Sequence, residues 1–275
     1  MDEAIARHPI PLAVLALLAL AMVYLSASHY LRGFRRLGAP DGRLFDASRL
    51  RDSDLVAGLL VAGWFLFNVL PVLFDPAAAA RGIGLEAIII SMAFFGAIVV
   101  LLAGFLIIRG IDVAELFGLR RLALGGVLRS ALVWLLAAYP LLGLAALAGQ
   151  LVPGDFPPAQ GIVEFFLTTD SFGAKLVVIV MAVAVAPVAE EFIFRGYLYG
   201  ALKRRLGMSG AMLVTAVLFA LIHAHVPSLG VFFLLSLFLV VAFERSGSLL
   251  VPMAMHSLFN AVSVSVMIML PSPSP

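Results

Sequence analysis

The chain contains no cysteine among its 275 residues and has few charged side chains. The absence of cysteine excludes disulfides, thiolate metal sites and a cysteine nucleophile. Charged residues make up 12% of the chain, which is about half the usual fraction in a soluble domain, and 63% of the residues are hydrophobic. A soluble core cannot bury this much apolar surface. The composition therefore predicts an all-α polytopic membrane protein.

The sequence also lacks the local signatures of several hydrolases. It contains no G-x-S-x-G and no H-E-x-x-H. The first is the turn that presents a nucleophilic serine, and the second is a zinc-binding helix. Neither a serine hydrolase nor a metalloprotease of these classes is indicated.

Eight apolar runs are candidates for membrane-spanning helices, each of which needs about 20 residues. The first run could instead be a signal peptide, but Asp2, Glu3 and Arg7 before it give no net positive charge, which favours an uncleaved helix. The eight runs predict a bundle of about eight transmembrane helices. They are Ile10–Ala27, Leu55–Phe74, Ala87–Ile108, Ala131–Val152, Leu176–Phe194, Ala211–His223, Leu229–Phe243 and Leu249–Leu270.

The placement of arginine and lysine predicts the orientation. With eight spans, 15 of the 18 basic residues fall on one side of the membrane, and only Arg7, Arg81 and Lys175 fall on the other. Basic loops face the cytoplasm, so both termini are expected outside. The arginine-rich loop Leu31–Asp54 is interpreted either as an interfacial helix on anionic lipid or as a solvated connector.

Two of the runs are too short to cross a bilayer alone. Ala211–His223 and Leu229–Phe243 have 13 and 15 residues, which as helices cover only about 20–22 Å of a roughly 30 Å hydrocarbon layer. The turn at 223–228 is therefore expected below the outer surface. Irregular backbone at that depth must face protein or a water-filled cavity, which predicts a polar pocket beside His223.

Two adjacent acids end the charge-free run from Leu176 to Ala189. Ionisable groups at membrane depth are costly, so they indicate a functional site. Glu191 and Arg195 are four residues apart on one helix face, with the acid first, which favours an ion pair. Glu190 is rotated 100° away and has no obvious local partner. An unpaired acid in a low-dielectric pocket suits a general base.

Two histidines in later apolar runs extend this candidate site. His256 and Asn260 lie four apart on one helix face, where an imidazole and a carboxamide can donate two hydrogen bonds to an oxyanion. His223 ends the short apolar run Ala211–His223. His225, two residues further on, is expected to point elsewhere and is treated as secondary.

Three segments spaced about 30 residues apart resemble the motifs EExxxR, FxxxH and HxxxN of the CAAX-protease and bacteriocin-processing (CPBP, or Abi) family. They are Glu190-Glu191-Phe-Ile-Phe-Arg195, Phe219-Ala-Leu-Ile-His223 and His256-Ser-Leu-Phe-Asn260. The resemblance covers Lys175–Met269, about a third of the chain. It divides the protein into N-terminal helices (1–174), a catalytic core (175–270) and a short tail (271–275).

The resemblance implies an intramembrane endopeptidase that hydrolyses a membrane-associated or lipidated protein or peptide with activated water. It assigns Glu190 and His223 to water activation, His256 and Asn260 to the oxyanion, and Glu191 and Arg195 to support. Because arginine far outnumbers lysine and alanine and glycine are frequent, we expect a bacterial inner-membrane protein and a bacterial membrane peptide as substrate. The expected partners are that substrate and the bilayer, with no nucleic acid.

Metal dependence stays open between two alternatives. Glu190, His223 and His256 are acceptable zinc ligand types, with a position left for water. The metal-free glutamate mechanism is the favoured alternative, and water attacks in both. The expected cofactor set is therefore none or one divalent metal.

Two other functions compete with a peptidase. A proton-coupled transporter would use Glu190, His223 and His256 as a relay, but transporters often have paired halves, and spans one to four offer only Asn68 as a comparable polar group. A catalytically silent immunity or assembly protein is the second alternative. Intact residues at every motif position count against it.

Overall fold

The structure is a computed structural model that describes residues 9–37, 45–74, 83–154 and 161–269, with side chains from residue 14 and without those of 70–74. The predicted tail 271–275 lies outside the described residues. The fold is all-α: the described residues form helices and no strand. Seven helices are long and apolar enough to cross a membrane, so the protein is an integral membrane protein.

The first four long helices correspond to the first four predicted spans. They are α1 (Pro9–Arg36), α2 (Asp52–Phe74), α3 (Leu85–Ile108) and α5 (Leu124–Gly149). Two short helices, α4 (Val113–Leu116) and α6 (Gly161–Thr168), lie in connections, and Asp112 caps α4 by accepting from the backbone N–H groups of Ala114 and Glu115. Helix α5 packs against α1 and two later helices.

The fifth and sixth predicted spans form one almost continuous element of 50 residues, Phe172–Leu221, which reduces the count of long helices from eight to seven. It consists of α7 (Phe172–Val180), α8 (Ala186–Glu191) and α9 (Tyr199–Leu221), separated by π-helical turns at Met181–Val185 and Phe192–Leu198. Helices α10 (Leu229–Ser246) and α11 (Leu250–Met269) complete the bundle.

Gly207 divides the 50-residue element into two antiparallel arms. Its φ of 70° and ψ of 178° are not helical, and glycine adopts this conformation at little cost. The Phe194 and Phe219 rings, from opposite sides of Gly207, meet edge-to-face with centroids 5.5 Å apart. The chain therefore folds back here. The two predicted spans are present as the arms of a helical hairpin, although no loop separates them.

The described end of the arginine-rich loop, residues 45–51, is not a helix, and it is a connector that is solvated on one side and packed on the protein through apolar residues on the other. Phe45 and Leu50 are buried against the end of the first arm of the hairpin, where a Cβ on Gly200 would lie 2.5 Å from Leu50 Cδ1. Lys203 donates to the carbonyl of Phe45 (2.8 Å), and Arg204 donates to the carbonyl of Leu50. The sequence did not predict this packing, because charged residues dominate the composition of the segment and Phe45 and Leu50 are isolated in it.

A buried polar cluster joins the N-terminal helices to the same hairpin. Asp54, fully buried in the first turn of α2, accepts from Arg109 (2.5 Å), from the hydroxyl of Tyr197 (2.9 Å) and from the backbone N–H of Arg51 (2.6 Å). A buried carboxylate is tolerated only when such partners neutralise and solvate it. The cluster fixes α2 and α3 to the π-helical turn that contains Tyr197.

We predict that Asp54→Ala lowers the free energy of unfolding by about 3 to 5 kcal/mol, because it leaves the Arg109 guanidinium buried without its carboxylate. Thermal unfolding in detergent measures the effect. Asp52→Ala is the matched control, since Asp52 pairs with Arg205 at the surface, where both side chains are more than half exposed. Equal melting temperatures for the two variants would contradict the role of the cluster.

Candidate active site

Glu190 and Glu191 lie at the end of α8, between the two π-helical turns. Such turns occur frequently at functional sites because they rotate the following side chains relative to an ordinary helix. Glu191 and Arg195 are fully buried and form the predicted ion pair, with Arg195 Nη1 2.8 Å from Glu191 Oε1. Arg195 also lies over the Phe219 ring, 4.1 Å from its centroid, which adds a cation–π contact.

His256, on α11, joins both acids. Its Nδ1 lies 2.9 Å from Glu191 Oε1, the oxygen that already accepts from Arg195, and its Nε2 lies 3.9 Å from Glu190 Oε2. Because the carboxylate of Glu191 accepts, Nδ1 carries a proton. Nε2 therefore donates to a substrate only when the ring carries both protons.

The orientation of His223 leaves one ring nitrogen as a base. Its Nδ1 lies 2.6 Å from the carbonyl of Phe219, which only accepts, so Nδ1 donates and Nε2 is the acceptor in the neutral ring. The ring stacks on Phe232 with centroids 3.9 Å apart. Phe219 also packs against His223 and His256, with centroid distances of 4.6 and 5.8 Å, so one aromatic ring contacts both imidazoles.

The polar side chains of the site line a cavity of about 510 Å³. Its remaining lining is mostly apolar and includes Ile162 and Val163 of α6, and Phe232 of α10. The structure thus brings the four predicted catalytic side chains together, with Glu191 and Arg195 buried behind them. The polar lining residues include Glu190, His223, His225, Ser228, His256 and Asn260.

The expectation that His225 points elsewhere was wrong. His225 lines the cavity, and its Nδ1 lies 2.7 Å from the hydroxyl of Ser228. The expectation came from treating 223–225 as helix, where a two-residue step turns the side chain away. The helix ends at Leu221, Ala224 has a positive φ of 49°, and the turn brings both histidines to one cavity.

The residues do not form a metal site in this arrangement. Among the described residues, no group of three or more His, Asp or Glu side chains is placed to hold a metal ion. His256 Nδ1 is directed at Glu191, and Nε2 is directed at Glu190. Although Glu190, His223 and His256 are acceptable ligand types, we derive no catalytic step through a metal.

Comparison with known proteins supports the resemblance drawn from the motifs. Residues 172–262, about a third of the chain, match the family model described as "Type II CAAX prenyl endopeptidase Rce1-like". The chain is 27% identical over 95 residues to the protein named "Putative membrane peptidase YdiL" of Bacillus subtilis (strain 168). The alignment covers 34% of this chain and 39% of that relative, so the chain matches about two fifths of its length. No solved structure matches the chain.

The resemblance is therefore confirmed for the region that carries the site: residues 172–262 match the Rce1-like family model, and all three motifs lie within them. The division at residue 174 and the roles of individual side chains stay predictions.

We predict that Arg195→Met lowers the free energy of unfolding by about 3 to 5 kcal/mol, because Glu191 remains buried without the guanidinium that neutralises it. Thermal melting in detergent checks this. Arg120→Met is the control, since Arg120 is 79% exposed in its pair with Asp112. A normal melting curve together with lost activity would instead place Arg195 in the chemistry.

Proposed function

We propose that this protein is an intramembrane endopeptidase in which Glu190 activates water to cleave a peptide bond of a membrane-associated or lipidated substrate. The observation that carries the proposal is the cavity that collects Glu190, His223, His256 and Asn260, with Glu190 Oε2 3.9 Å from His256 Nε2. The side chains come from α8, from the turn after α9 and from α11, so only the folded bundle assembles them.

The geometry supports one order of steps. Glu190 removes a proton as water attacks the carbonyl carbon, and Nε2 of His223 accepts a hydrogen bond from the same water. The developing oxyanion accepts from the amide of Asn260 and from Nε2 of doubly protonated His256. Glu190 then passes its proton to the departing amine as the C–N bond breaks. Water supplies the second oxygen of the new carboxyl group.

The apolar wall of the cavity supports a substrate that is itself apolar near the cleaved bond. Met181, Phe259, Val264 and Met267 line it beside the polar residues. Burial of an apolar segment here contributes about 25 cal/mol per Å² of surface removed from water. We further propose the bacterial plasma membrane as the location, with both termini outside and the basic loops in the cytoplasm.

Two alternative functions have less support. A proton-coupled transporter requires a relay in contact with a passage across the bilayer, whereas the polar residues here gather in one cavity beside an irregular turn. A silent immunity or assembly protein does not require the contacts that His256 makes with the two acids. Assays of hydrolysis and of proton-coupled uptake in liposomes, run in parallel, distinguish the three functions.

We predict that Glu190→Gln reduces hydrolysis of a fluorogenic lipidated or transmembrane peptide by at least about 100-fold while the protein stays folded, because the amide is nearly isosteric but cannot take a proton. Initial rates in detergent or nanodiscs measure the loss. Glu86→Gln is the matched control, since Glu86 is exposed in the first turn of α3. Retained turnover in Glu190→Gln would refute the assignment of the base.

We predict that wild-type protein treated with a chelator and then dialysed keeps its hydrolytic rate. Elemental analysis of the active sample checks for residual zinc. Loss of activity on chelation, with recovery on adding zinc, would contradict the metal-free proposal without affecting the assignment of the cavity.

A further inference from the structure

Pro187 lies three residues before Glu190 and is the second residue after the π-helical turn Met181–Val185. Proline carries no backbone N–H, so within a helix it leaves one carbonyl of an earlier turn without its donor. In a membrane no bulk water replaces that donor, and the carbonyl must be satisfied from within the protein.

If the π-helical register of the turn continues to Pro187, the carbonyl that proline leaves without a backbone donor is that of Ala182. In an α-helix its donor would be the N–H of Ala186, but that group donates to Met181 because the turn is π-helical. In a π-helix its donor would be residue 187, which is proline and has none. Both regular patterns thus leave the Ala182 oxygen available.

Asn260 satisfies this oxygen from another helix. Its Nδ2 donates to the Ala182 carbonyl at 2.7 Å. Because a carbonyl only accepts, the contact fixes the amide with its nitrogen toward the Ala182 carbonyl. Ala182 and Asn260 both line the cavity that contains Glu190. The amide carries a second N–H, which this contact does not use.

We propose that Pro187 is a positioning residue for Asn260. By removing a backbone donor, it reserves the Ala182 carbonyl as an anchor that holds the Asn260 amide nitrogen at the cavity. The second N–H of that amide then serves as the oxyanion donor. The inference rests on the proposed function, since it assigns Pro187 a role in the same reaction through a residue that touches substrate.

Pro187→Ala tests the proposal because alanine restores an N–H that competes for the Ala182 carbonyl. The expected result is about a tenfold fall in kcat for the fluorogenic peptide, with KM changed less than twofold, because an oxyanion donor acts mainly in the transition state. The melting temperature should not fall, since alanine is the better helix residue. Pro140→Ala, which removes a proline inside α5, is the matched control and should retain the wild-type rate.

A double-mutant cycle separates this role from a general effect on the helix. If Pro187 acts through Asn260, Pro187→Ala should cost nothing further in an Asn260→Ala background, so the double variant turns over at the rate of Asn260→Ala alone. A double variant whose loss of rate equals the product of the two single-variant losses would overturn the proposal. So would a wild-type kcat for Pro187→Ala.

A spectroscopic readout tests the contact without any activity. The chain has only two asparagines, Asn68 and Asn260, so selective ¹⁵N-asparagine labelling gives two side-chain amide groups. Asn68 donates to the carbonyl of Trp64 at 2.7 Å and serves as the internal reference. In Pro187→Ala the Asn260 amide protons should shift upfield and exchange faster, while those of Asn68 stay in place.

The outcomes distinguish the two proposals. Hydrolysis that disappears in Glu190→Gln but is unaffected by Pro187→Ala rejects the positioning role and leaves the peptidase. A protein without hydrolysis in which Pro187→Ala still releases the Asn260 amide rejects the peptidase and leaves the anchor. Unchanged Asn260 resonances in a folded Pro187→Ala variant reject the anchor itself.

Discussion

The fold of the catalytic region depends on one buried oxygen, Oε1 of Glu191. It accepts from Arg195 on its own helix and from His256 on α11, and all three side chains are at most 3% exposed. A buried charge is costly unless it is paired and hydrogen-bonded. The contacts among these three side chains therefore lower the free-energy cost of burying each of them. Glu190, the other acid, takes no part in this ion pair. Glu190 faces the cavity with His256 Nε2 as a neighbour at 3.9 Å.

The N-terminal half holds this arrangement in place through polar contacts. Asp54 joins α2 and α3 to Tyr197, two residues beyond Arg195. Directly after the turn that contains Tyr197, Glu244 of α10 accepts from Tyr199 and Lys203. The catalytic element is therefore fixed at the end of its second π-helical turn by two separate polar clusters. The N-terminal helices carry no motif of their own, and their role is to stabilise the region that contains the site.

The sequence was sufficient to predict those features that depend on the spacing of residues within one helix or one apolar run. The four-residue step predicted the Glu191–Arg195 pair, and the two short apolar runs predicted an irregular turn beside a polar cavity. The sequence did not predict features that depend on local backbone geometry or on contacts between helices. The π-helical turns, the fold-back at Gly207 and the Asn260–Ala182 contact leave no composition signal, although Pro187 was a visible indication. His225 was misjudged because helical periodicity was applied beyond the end of its helix.

The central claim is that water, held by Glu190, attacks the substrate without a covalent enzyme intermediate. Single-turnover cleavage of a lipidated or transmembrane peptide in H₂¹⁸O containing hydroxylamine tests it directly. The account predicts one ¹⁸O atom in the newly formed carboxyl group and no hydroxamate product. A hydroxamate that forms in proportion to hydroxylamine would reveal an acyl-enzyme and contradict the account.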